Sequence, residues 1–225
     1  MTPSGGQLFL DFPRIDPGQR PLIETGAYAA ALGALRRWRH WPGRQMALVG
    51  DAFAGKTRLL KFWASDANAA LVTGEALANA EIDEIARLSV SALAVDDADH
   101  PAAGLGLLAA LNLCRDRGAP VLLAGRTHPA GWFTRPPDLR SRLAAMPVAQ
   151  VEPPDDETLA LRLREECALR HLILSDESVT YLANRMERSW QAVGQVADQI
   201  ERTPGRADGL RSARAVLTAL GMDPG

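Results

Sequence analysis

Histidine and cysteine are too sparse in this chain to build a metal centre or a disulfide framework. Its 225 residues include 2 cysteines, Cys114 and Cys167, and 4 histidines, His40, His100, His128 and His171. None stands at zinc-ligand spacing, and two lone cysteines read as small buried hydrophobes of a reducing compartment. Aromatics are only 5% of the chain, whereas alanine and leucine recur, which favours helices. Charge of one sign is also missing: 25 basic against 27 acidic residues leave a net charge of −2. Without a basic excess, no direct sequence-specific DNA binding is expected. No apolar run approaches the roughly 20 residues that span a bilayer, and the first residues lack the charged and apolar regions of a signal peptide. The expectation is a soluble, cytoplasmic protein without membrane contact.

What is present is alternation. Residues 1–25 are rich in Gly and Pro around one hydrophobic island, Leu8 to Phe12, and read as an extended tail. From Gly26 to Trp41 the spacing of Tyr28, Leu32, Leu35 and Trp38 predicts an amphipathic helix, stopped by Pro42 and Gly43. Short apolar runs follow at Met46–Val49, Ala69–Thr73, Ser91–Val95, Val121–Ala124 and Val148–Val151, most of them separated by helical stretches. Such alternation predicts an α/β core with a five-stranded parallel sheet covered on both faces. It ends at Glu152-Pro153-Pro154, since proline cannot continue a ladder. Beyond it, Asp155 or Asp156, Ser175, Ser189 and Asp208 each stand where a helix would be capped. The expected organisation is a tail (1–25), a core (26–152) and a small all-helical lid (153–225).

One segment carries chemistry. Gly50-Asp51-Ala52-Phe53-Ala54-Gly55-Lys56-Thr57 fits G-x-x-x-x-G-K-S/T between a strand and a helix. Glycines let backbone amides turn toward phosphates, and the helix N-terminus adds partial positive charge. Lys56 would reach the β- and γ-phosphates, and the Thr57 hydroxyl would face Mg²⁺. The plain alternative is a glycine-bounded turn with a chance lysine. Leu93-Ala94-Val95-Asp96-Asp97 is an apolar strand ending in two acids, so that Asp96 would hold Mg²⁺ and Asp97 would orient an attacking water. Paired acids after a strand also serve as helix caps, as could Asp99. Phe53 stands where many such loops have glycine, and a positive φ there would strain an aromatic residue.

A P-loop αβα sandwich with a helical lid resembles the AAA+ ATPases, and three segments narrow the likeness to the DnaA-related family. Pro137-Asp138-Leu139-Arg140-Ser141-Arg142-Leu143 looks like the box that carries the family's arginine finger. Val121–Ala124 with Gly125-Arg126-Thr127-His128-Pro129 is similar to its sensor-1 region. Gln7-Leu8-Phe9-Leu10-Asp11-Phe12 fits Q-L-x-L-x-F, a peptide type that docks on the bacterial sliding clamp. A clamp motif ahead of such a module, with no DNA-binding domain behind it, resembles the Hda family of regulatory inactivators of DnaA. Leu10 and Phe12 would enter an apolar pocket while the Gln7 amide bonds at its rim, with Leu8 also among the clamp-binding residues; a strap folded on its own domain is the alternative.

The resemblance implies ADP or ATP with Mg²⁺ as ligands, and the sliding clamp (the DNA polymerase III beta subunit) and DnaA as partners, with a homo-oligomer left open. It implies Arg142 as a finger acting in trans; the alternative is that Arg140 and Arg142 are both ordinary solvated helix residues. The stretch Leu182–Gln191 resembles the sensor-2 helix, but its arginine falls on Gln191, leaving Arg188, one turn earlier, as the candidate phosphate ligand. A neutral amide does not replace a guanidinium at a phosphate, so at most weak ATP hydrolysis by the protein itself is expected. An autonomous AAA+ loader or motor, and a nucleotide-free adaptor, are the competing readings.

Overall fold

The computed structural model describes residues 22, 26–87, 89–203 and 209–222. Five strands, β1 (Gln45–Val49), β2 (Ala70–Thr73), β3 (Leu93–Asp96), β4 (Val121–Gly125) and β5 (Val148–Gln150), form one parallel sheet in the order β2-β3-β4-β1-β5. Pairing runs Leu71 to Ala94 and on to Leu122, so the apolar runs of three strands lie in register. Every residue of β4 is buried, as are Leu93, Ala94 and Val95 of β3, which is why these segments read as continuous apolar runs rather than alternating ones.

Each expected strand is present within two residues of its predicted ends. Strand β3 starts later than its apolar run because the Ser91 hydroxyl donates to the Asn68 carbonyl in the preceding bend. The first helix, α1 (Ala27–Arg36), is shorter than expected. Trp38 leaves the helical pattern for a 3₁₀ turn, where its indole donates to Asp66 at 2.6 Å and its ring meets Trp63 edge-on. Helix α2 (Lys56–Ala67) follows β1, and two short helices, α3 (Gly74–Asn79) and α4 (Ile82–Arg87), separate β2 from β3. Helix α5 (Gly104–Arg117) ends on Gly118 at φ +63, the left-handed cap that glycine suits, and α6 (Pro137–Ala144) precedes β5.

The C-terminal helices are α7 (Asp156–Leu169), α8 (Asp176–Ala183), α9 (Trp190–Arg202) and α10 (Leu210–Ala219). Asp155, Ser175 and Ser189 cap the first three, each accepting the amide three residues on. Asp208, expected to open the fourth, lies outside the described residues. Leu159, Leu163, Val193, Val196 and Ile200 are among the side chains buried in this bundle's core.

The chain divides into two compact units. One takes in residues 36–48 and 57–148; the other takes in the described residues among 21–35, 49–56 and 149–225. Helix α1 and the loop after β1 therefore group with the C-terminal helices. Among the described residues no helix is long and apolar enough to cross a membrane.

Candidate phosphate-binding site

The loop after β1 is a tight turn with hydrogen bonds among its own atoms. Lys56, only 8% exposed, aims its ammonium back over the loop, with Nζ 2.8 Å from the Gly50 carbonyl oxygen and 2.7 Å from that of Asp51. The Ala54 amide donates to the Asp51 carbonyl at 3.3 Å. Phe53 adopts φ +61, so the position does require the left-handed conformation, and its ring is 56% exposed. The loop thus keeps its turn with an aromatic residue in a glycine's place.

Two aromatic residues that the motif does not contain hold the loop from one side. The Tyr28 hydroxyl and the Trp190 indole N–H both donate to the Ala54 carbonyl, at 3.1 and 3.0 Å. The Trp190 backbone N–H donates to the Phe53 carbonyl at 3.3 Å. Sequence reasoning placed Tyr28 on the core face of α1 and missed its hydroxyl; Trp190 was hidden behind the cap at Ser189. A methyl at Gly55 would collide with the Tyr28 hydroxyl, and one at Gly50 with the Val151 carbonyl oxygen. Both glycines are demanded by the protein's own packing.

In the other unit, the acids after β3 form a stitched turn. The Thr57 hydroxyl, at the start of α2, donates to Asp96 Oδ2 at 2.7 Å. Asp97 follows in the left-handed region at φ +47, exposed, with its amide on Asp96 Oδ1 at 3.1 Å. Asp99 does not cap a helix; it accepts the Arg126 amide at 2.8 Å, tying this turn to the end of β4. Gly125 lies under the indole of Trp132, whose Nε1 donates to the Thr127 carbonyl at 2.7 Å.

Arg142 is anchored within its own subunit. Its Nε donates to Asp138 Oδ1 at 3.1 Å, Nη2 pairs with Asp138 Oδ2 at 2.7 Å, and Nη1 donates to Asn112 Oδ1 at 2.8 Å. Arg140, two residues earlier, is exposed. Arg188 forms a fork with Asp156, Nε to Oδ1 and Nη2 to Oδ2, both at 3.1 Å, so its guanidinium is committed within the lid. Gln191 is exposed and neutral. Gln7, Leu8, Leu10 and Phe12 lie outside the described residues.

These residues fit a bound phosphate and a hard cation. Thr57 and Asp96 place two oxygen donors side by side, the ligand type Mg²⁺ takes. Lys56 sits on two carbonyls that an anion could replace as its partner. Arg188 is already paired with Asp156, and Gln191 carries no charge. Among the described residues no cluster of three or more His, Cys, Asp or Glu forms a metal site. Burial pushes the Cys114 and Cys167 thiols up to about 11, so both stay protonated near neutrality.

No family model matches the sequence, and no curated protein matches it. Solved structures do. Domain III of the replication initiation protein DnaA from Thermotoga maritima superposes with a TM-score of 0.73 at 22% identity, covering 90% of this chain and 95% of that domain. AMPPCP-bound DnaA from Aquifex aeolicus matches at TM-score 0.66 and 16% identity; 81% of this chain is covered, and it spans 64% of that one. A RuvB variant from Thermotoga maritima matches at TM-score 0.64 and 17% identity, over 87% and 68% of the two chains. The chain has a DnaA-like AAA+ fold.

Proposed function

We propose that this protein is a nucleotide-binding regulator of bacterial replication initiation, of the Hda kind. It docks on the DNA-loaded sliding clamp through Gln7, Leu8, Leu10 and Phe12. There it presents Arg142 to DnaA carrying ATP, promotes hydrolysis of that ATP, and so prevents re-initiation in the cytoplasm. The observation that carries this is the match to DnaA domain III over nearly the whole chain, with Arg142 in the finger box. Tethering on the clamp raises the local concentration of the two partners, so each contact can be weak.

ADP or ATP is held by the amides of Gly50–Gly55 and by Lys56, with Mg²⁺ at Thr57 and Asp96. The Aquifex DnaA neighbour carries AMPPCP, which supports a nucleotide here too. When bound, the nucleotide supplies anionic phosphates to the loop, and Mg²⁺ neutralises part of their charge. Arg142 acts elsewhere, on the partner's nucleotide, where a guanidinium supplied in trans is worth about 10³–10⁵ in rate. Its present contacts are to Asp138 and Asn112, so acting on a partner means exchanging them for that partner's phosphates.

The deciding experiment is hydrolysis of DnaA-bound ATP with and without DNA-loaded clamp, comparing the intact protein with one lacking residues 1–12. Stimulation should require both the clamp and those residues; equal stimulation by the shortened protein rules the tether out. The Thr57–Asp96 pair with Asp97 beside it favours a second reading, an autonomous loader or motor that hydrolyses its own ATP. Robust steady-state turnover by the isolated protein would select it.

A further inference from the structure

The Ala54 carbonyl accepts two side-chain hydrogen bonds from residues 26 and 136 positions away in the chain. Tyr28 is 1% exposed, and its ring meets that of Trp190 edge-on, with centroids 5.4 Å apart at 88°. The indole Nε1 would lie 2.7 Å from a Cβ at Gly55. Two donors on one loop carbonyl are more than burial requires, since one suffices to satisfy it.

A trans peptide is planar, with its C=O and N–H pointing in opposite directions. Fixing the Ala54 oxygen against the aromatic pair therefore turns the Gly55 N–H to the other side of the loop. Gly55 sits at φ +97, where glycine's freedom is widest and an unpinned peptide would flip most easily. Loop amides hold a phosphate well only when they are already aimed at it, because ordering them on binding subtracts from affinity.

We infer that Tyr28 and Trp190 are positioning residues for the phosphate loop, pinning the Ala54–Gly55 peptide so that its N–H is ready for the phosphates of a nucleoside di- or triphosphate. The inference rests on the nucleotide-binding reading above. It gives the start of α9 a task at the loop that needs no charge, in a lid whose sensor position holds Gln191.

The test uses the full chain with Tyr28→Phe and Trp190→Phe, which keep a ring and remove the side-chain donor. Trp38→Phe, which removes the indole bond to Asp66, serves as control. Calorimetric titration with MgADP should show affinity reduced about fivefold for each loop variant, the equivalent of one hydrogen bond, and further for the pair. Hydrogen exchange in the peptide spanning residues 53–57 should be faster in both. Trp38→Phe should lower the melting temperature while leaving affinity unchanged. Should Tyr28→Phe not fold, Trp190→Phe, at the less buried position, decides alone. Folded loop variants that bind MgADP as tightly as the parent overturn the positioning role and leave nucleotide binding standing. A parent protein that does not bind MgADP overturns both.

Discussion

Replacing Arg142 with alanine probes the fold and the proposed function together, because the guanidinium is tied inside its own subunit before it meets any partner. Two of its contacts run to Asp138, one turn earlier on α6. That carboxylate is 57% exposed and screened by water, so the pair contributes about 0.3–0.5 kcal/mol. The bond to Asn112 is of another kind. It crosses from α6 to α5, is partly buried, and has a charged donor, which places it at about 1–2 kcal/mol. Together these predict a loss of roughly 1.5–2.5 kcal/mol for Arg142→Ala, hence a melting temperature about 3–10 °C lower in a chain of this size. Circular dichroism melts measure the fall. At a temperature well below either transition, stimulation of DnaA-bound ATP hydrolysis should drop by about 10³ or more. Arg142→Lys should recover part of the stability and little of the stimulation, since an ammonium cannot reproduce the fork. A double cycle with Asn112→Ala should return a coupling of about 1 kcal/mol. An unchanged melting temperature in Arg142→Ala would refute the anchoring, and unchanged stimulation would refute the finger.

Two further outcomes follow from single positions. Phe53 holds φ +61 with an exposed ring, a conformation that costs an ordinary residue on the order of 1 kcal/mol and asparagine less. Phe53→Asn should therefore raise the melting temperature by about 2–4 °C; an equal or lower value would show that the loop is unstrained. The Asp155 carboxyl is held below the usual carboxylate range, first by the Thr158 hydroxyl and then by the Thr158 amide, both hydrogen-bonded to it. A depressed folded-state pKa contributes stability above the unfolded value, near 4, and that contribution is lost as pH falls through the folded one. Between pH 5 and 2 the parent protein should lose stability more steeply than Asp155→Asn, whose amide caps the helix without titrating. Parallel curves would remove Asp155 from the acid transition.

The strands and caps were legible because their causes are local. An apolar run between turn residues has few alternatives to a buried strand, and Ser189 three residues before Ala192 caps α9 on the strength of its own hydroxyl. Helices α3 and α4, at 6 residues each, are too short to declare a period, so the stretch between β2 and β3 carried no signal. The site was legible only where it is contiguous. Lys56, Thr57 and the acid at Asp96 announce themselves by spacing. Tyr28, Asn112, Asp99 and Trp190 each act on a residue far along the chain, which no local pattern announces. Tyr28 suited the core face of a helix, and Trp190 suited the first turn after a cap.

The same distinction changes how the phosphate motif itself should be weighed. Gly50 faces the Val151 carbonyl and Gly55 the Tyr28 hydroxyl, so both glycines would be required of a chain that had this turn and never met a nucleotide. Their presence in the motif therefore discriminates little between a binding loop and a structural one. Lys56, Thr57 and Asp96 discriminate more, because an ammonium, a hydroxyl and a carboxylate are the groups that suit a phosphate and a hard cation. The Lys56 ammonium already lies over the loop, on the Gly50 and Asp51 carbonyls, where a phosphate cradled by the loop amides would meet it. A hydroxyl donating to an acid at the end of a parallel strand lies where ligands of such sheets bind, beyond the strands' carboxyl ends. Lys56, Thr57 and Asp96 are thus the residues that speak for a nucleotide, and the glycines report on the turn itself.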